Sequence, residues 1–182
     1  MRIIAGISIG IIGFLILVVF IVSAFGFYPV AFSSKWIITG NQFNKIVDSS
    51  LFYYQKIYSV YSSSTVVADA AFGKELRRAA LEQMIEDKII NEFLSEKIGK
   101  KELEKSVNDK ISALNMSDGV VKGSRILYNL SIEDFKNLVL MPEARREILS
   151  NQGIDIAELK KSYKPVILLP GYYWQDGVLV KN

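Results

Sequence analysis

Between Ile3 and Ala24 the chain runs for twenty-two residues without a charge, through Ile, Leu, Val, Phe, Gly, Ala and Ser. As a helix at ~1.5 Å per residue such a stretch reaches ~33 Å, a little more than the ~30 Å hydrocarbon core of a bilayer. It predicts a transmembrane signal anchor over residues 1–32, with the lipid bilayer as the first partner. A helical domain over 33–164 and a strand or hairpin tail over 165–182 are expected to follow, in a single-pass protein of the cell membrane.

Cleavage of the stretch as a secretory signal is the alternative. Arg2 gives the basic start, and Ala24-Phe25-Gly26 places small residues at a suitable spacing, but the apolar run exceeds the usual 7–15 residues. Gly6 and Gly10 form a G-x-x-x-G step and Gly13 continues that face, a pattern that fits a close helix–helix contact and a homodimer. Membrane helices are also simply glycine-rich, so the pattern has a second explanation. Phe25, Phe27, Tyr28 and Trp36 read as an interfacial aromatic belt, with Pro29 ending the helix. Arg2 on one side is balanced by Lys35 and Lys45 on the other, so charge does not orient the anchor.

The rest of the chain carries 21 of the 22 basic residues and all 19 acidic ones, interspersed in sign. That balance lacks the clustered positive face that nucleic acid requires, so no nucleic-acid partner is expected. Cysteine and histidine are both absent. Disulfides, thiolate zinc sites, histidine triads and histidine metal sites are thereby excluded. Glycines never approach a P-loop or G-x-G-x-x-G spacing, and no cofactor is expected.

Helical periodicity begins after Thr39 or Asn41, either of which suits an N-cap, and runs to about Tyr61. Phe43, Val47, Tyr54, Ile57, Tyr58 and Tyr61 lie on its inward stripe, and Phe52 on the far face. Ser62 to Thr65 is a loop signal. A long amphipathic helix spans about 74–98, with Leu76, Ala80, Met84, Ile85, Ile89, Phe93 and Leu94 apolar and Gly99 as its stop. Leu103, Val107, Ile111 and Leu114 mark the next helix, and Val120 to Tyr128 a short one. Ser131 to Asp134 approximates a capping box opening a helix with Phe135, Leu138 and Val139 inward. Pro142 breaks that helix or restarts it at N1, and the pattern resumes to about Gly153. Val166–Leu169 and Val178–Val180 are strand-like, as a hairpin or as strands pairing elsewhere, and Trp36–Thr39 is the other strand candidate. The fold class expected is therefore mainly α: a transmembrane helix, then a helical domain with short terminal strands.

No catalytic constellation stands out. Glu86-Asp87 and Glu133-Asp134 are adjacent pairs that diverge by about 100° on a helix, as solvated surface charges do.

The run Leu76 to Ile90, LRRAALEQMIEDKII, resembles the long helix of the N-terminal domain of the SurA, PrsA and PpiD class of folding factors. Leu130 to Phe135, LSIEDF, followed by Pro142 to Leu149, PEARREIL, is similar to that domain's capped helix and the basic helix after it. The resemblance covers about 36–150 and implies a SurA-N-like fold. It also implies an extracytoplasmic, chaperone-like role: binding unfolded or nascent secreted polypeptides without ATP. Relatives usually continue into a parvulin isomerase domain; here about thirty residues remain, and the histidines typical of that active site are missing. No isomerase and no other enzyme activity is expected. Phe52, Tyr53, Tyr58, Phe135, Tyr172, Tyr173 and Trp174 are the candidate client contacts, because aromatics give adaptable apolar contact. The alternative role is a structural or assembly subunit of a membrane complex with one fixed partner.

Overall fold

A computed structural model describes residues 26–61, 70–114 and 118–182. Its first element is a strand, β1 (Pro29–Phe32), followed by β2 (Ile37–Thr39) and helices α1 (Gly40–Tyr61), α2 (Ala70–Ile98), α3 (Lys100–Ala113), α4 (Asp118–Tyr128) and α5 (Ile132–Phe135). A π turn (Lys136–Leu140) leads into α6 (Met141–Asn151), then α7 (Ile156–Lys161), β3 (Val166–Ile167), β4 (Tyr172–Gln175) and β5 (Val178–Lys181).

Two expectations are corrected here. Among the described residues no helix is long and apolar enough to cross a membrane. The longest, α2, has 29 residues but carries charges from Lys74 to Lys97. The described residues accordingly form a mainly helical domain with two small sheets and no membrane span among them, against the expected transmembrane fold class and single-pass membrane location. The apolar stretch 3–24, with Gly6, Gly10 and Gly13, lies outside the described residues. Pro29, expected to end an anchor helix, instead opens β1, and the domain starts before residue 33.

β1 is the centre of a three-stranded antiparallel sheet in the order β2-β1-β3. The register slips between Pro29 and Ala31, a bulge that lets the consecutive residues Val30 and Ala31 both face inward. Opposite them, Phe32 pairs with both Ile37 and Val166, and this row faces outward. The β4–β5 hairpin turns through Asp176 (φ 50°) and Gly177 (φ 85°), the two left-handed residues a tight hairpin needs. The C-terminal strands thus divide: residues 172–181 form the hairpin and 166–167 pair with β1.

Thr39 caps α1. Its Oγ1 accepts from the Gln42 N–H (3.4 Å) while Gln42 Oε1 accepts from the Thr39 N–H (3.3 Å), a reciprocal capping box. Gly40 follows because the Tyr28 ring fills the space a Cβ would need, and the Gly40 N–H donates to the Tyr28 carbonyl (2.8 Å).

α2 changes partners along its length. Leu81, Ile85 and Ile89 close a first core with Ala31 and Ile38 of the sheet, Phe43 and Val47 of α1, and Leu179 of β5. Ile90 and Leu94 close a second with Leu103, Val107 and Ile111 of α3 and Leu149 of α6. Leu114, expected inward, is exposed where α3 ends. Tyr54 and Tyr58 are likewise exposed, because α1 runs on past the first core; Tyr54 keeps edge contacts with Phe72 and Tyr53.

Glu86 and Asp87 are not free surface charges. Arg145 of α6 holds Asp87 through Nε–Oδ1 (2.8 Å) and Nη2–Oδ2 (2.9 Å), and Glu86 takes Arg146 (2.9 Å) and Lys160 (3.3 Å). Their divergence on α2 is what lets them reach α6 and α7 separately.

Candidate functional site

Pro142 creates the feature that most resembles a site. Lacking an N–H, it cannot continue the helical ladder opened at Ser131, whose Oγ accepts from the Asp134 N–H (3.0 Å). The helix does not break; it widens. The Met141 N–H donates to the carbonyl of Lys136, five residues back, so residues 136–140 form a π turn before Pro142 restarts the α register as α6. The next donor in that ladder is Pro142 itself, which has none to offer the Asn137 carbonyl.

The widened turn stands away from α1 and α2 and leaves a cavity of about 460 Å³ between the three. That volume falls within the ~300–1,000 Å³ of ordinary ligand pockets. Met84 and Leu130, both buried, form its floor beside Pro142, and Ile46, Leu138, Val139 and Met141 stand half-buried on its sides. Two of these are methionines, whose unbranched side chains adapt to irregular apolar shapes. Gln42, Ser50, Gln83 and Asn137 edge the opening, with Lys88 and the Asp87–Arg145 pair.

Tyr128 closes one end. It stacks face to face on Tyr53 (centroids 5.0 Å apart, planes 6° apart) and leans on Phe135 (5.4 Å). Burial pushes the Tyr128 hydroxyl pKa upward, with the neighbouring Tyr53 adding to it. α4 ends there because Asn129 is left-handed (φ 52°) and its N–H caps the Arg125 carbonyl (3.1 Å). Beyond Tyr128, Ser49 and Leu130 lies a second, polar cavity of about 410 Å³ holding Lys45, Asp48 and Asp134. Lys45 bonds Asp134 (2.7 Å), and with the Ser131 hydroxyl it holds the Asp134 carboxyl below the usual aspartate range.

The candidate client contacts scatter. Tyr53 and Phe135 come together through Tyr128, behind the end wall of the groove. Phe52 is half-buried under the Lys56 ammonium (5.3 Å), and Tyr58 is exposed near the end of α1. Tyr172 and Trp174 pack on the first core; Tyr172 Oη donates to the Lys74 carbonyl (3.2 Å) and Trp174 Nε1 to the Tyr163 carbonyl (3.0 Å). Tyr173, on the opposite face of β4, is exposed. None of the seven lines the groove.

The apolar side chains that do line it are, apart from Tyr128, aliphatic, methionine or proline, and aromatic residues do not mark them. One sequence signal points to them. Leu138 to Met141 is four apolar residues in a row on a helix, more than one face can bury, and Pro142 follows at once.

Chemically the groove offers apolar surface with polar edges. Its carboxylate, Asp87, is committed to Arg145. Among the described residues no three acidic, histidine or cysteine side chains gather as metal ligands would. Comparison of the chain with protein-family models, curated proteins and solved structures found no match.

Proposed function

We propose that this chain binds apolar segments of unfolded polypeptides in the groove between α1, α2 and the π turn, weakly and without ATP. One observation carries the reading: a methionine-bearing apolar cavity of about 460 Å³ that neither core fills. An incompletely buried apolar concavity of that size in a domain that packs two tight cores elsewhere is better suited to a variable guest than to stability. The resemblance to the N-terminal domain of the SurA, PrsA and PpiD class adds to it, since the order of strand, helix, long helix, charged helix and capped helix is that of a client-binding module.

The test is suppression of aggregation. The full chain, at near-stoichiometric ratio, is expected to hold a chemically denatured client in solution on dilution, as followed by light scattering. Val139→Asp places a charge on the groove wall and is expected to abolish the effect with the circular-dichroism melt unchanged. Equal protection by Val139→Asp and the unaltered chain would remove the groove from the function.

A second reading, an assembly subunit with one fixed partner, is favoured by the outward row of the first sheet. Ile37 (57% exposed) and Val166 (46%) flank Phe32 there, with Leu168 (48%) beyond. A pull-down from cell extract that yields one stoichiometric protein, lost on Ile37→Lys, supports this reading; a broad set of proteins retained by Ile37→Lys supports the first.

A further inference from the structure

We infer that the groove selects apolar segments that carry an acidic side chain, and that Lys88 reads the acid; this rests on the polypeptide-binding reading above. Three charged side chains line the groove: Asp87, Lys88 and Arg145. Asp87 and Arg145 cancel, because both carboxylate oxygens are taken by the guanidinium and the pair is only 15% and 11% exposed. That leaves Lys88, a half-buried residue without an ion pair among the described residues.

Its natural helical partner is Glu92, four residues on. Glu92 instead faces Lys35 (3.4 Å), the lysine of the β1–β2 turn, which also bonds Glu96. Lys88 is therefore an uncompensated cation beside an apolar concavity. In such a partly enclosed place a carboxylate on the guest gains more than it does in open solvent, and a guest lysine is repelled. Apolar side chains and an acidic residue thus describe the complementary segment.

Three fluorescent peptides of one extended apolar sequence, differing only in a central Glu, Gln or Lys, test this by anisotropy against the full chain. The Glu peptide is expected to bind about three- to fivefold tighter than the Gln peptide, as a part-exposed ion pair allows, and the Lys peptide weakest. High salt is expected to narrow the spread. Lys88→Gln should bring the three together, with an unchanged circular-dichroism melt showing the fold intact; Lys88→Glu should reverse their order. Equal affinities on the unaltered chain overturn the acidic preference and leave the groove reading standing. A preference that survives Lys88→Glu overturns the assignment to Lys88. No binding by any of the three overturns both readings.

Discussion

The two cores on α2 differ in how far the chain must travel to build them. The second draws on α2, α3 and α6, three amphipathic helices, two of them consecutive in sequence. The first gathers β1 and β2 from one end of the domain and Leu179 from the other, more than 140 residues away, onto the same helix. A core of helices is set by stripes that each segment carries alone. A core closed by strands is set by pairings that no segment carries alone.

Breaking each core separately should expose that difference. Ile85→Ala and Leu103→Ala are each expected to cost about 2–5 kcal/mol in urea denaturation, since both side chains are fully buried. Hydrogen exchange should tell them apart: Ile85→Ala is expected to release the amides of β1 and β3 first, and Leu103→Ala those of α3. Loss of protection in the same order for both variants would mean that the cores unfold as one unit.

The charged seam beside the cores gives the next largest effect. Asp87→Ala leaves Arg145 almost buried and unpaired and is expected to cost roughly 2 kcal/mol, below the ~3–5 kcal/mol of fully buried pairs because some solvent still reaches it. A double-mutant cycle with Arg145→Ala measures the pair itself. On the first core, Trp174→Phe removes the bond to the Tyr163 carbonyl and is expected to cost about 1 kcal/mol in thermal melts. An unchanged melt would mean that the hairpin adds little to that core.

The smallest effect should come from acid. The Asp134 carboxyl is held below its ordinary value of 3.8, first by the bond from Lys45 and then by Ser131. A lowered folded pKa gives a contribution that is complete above 3.8 and fades as pH falls through the lowered value. Docking of the α4–α5 arm on α1 is therefore expected to loosen below about pH 4, visible as loss of near-ultraviolet tyrosine signal from the Tyr53–Tyr128 stack. In Lys45→Met that loss should begin at higher pH.

The same contrast explains what could be read from the residues. Leu103, Val107 and Ile111 repeat every four positions and are buried as that spacing predicts. Ser131 caps its helix, and the Asp176-Gly177 pair turns its hairpin, because both are local devices. β1 was hidden, since Pro29 to Phe32 continues an apolar stretch and only β2 and β3 make it a strand. The ties of Glu86 and Asp87 to α6 and α7 were hidden for the same reason. So was the groove, whose sides come from three parts of the chain; only Pro142 after four apolar residues hinted that a helix there departs from regular geometry.

The place of β1 in the middle of its sheet also fixes an order of events during synthesis. β2 follows within a few residues, but β3 arrives only at Val166 and Leu179 later still. Residues 81–149, by contrast, already hold every buried member of the second core. On the ribosome the helical half is expected to be packed while Ile38, Leu81 and Ile85 still await their last cover. A chain stalled before residue 166 would show an apolar wall of its own to its neighbours, and would need the kind of shelter that its groove is proposed to give to others.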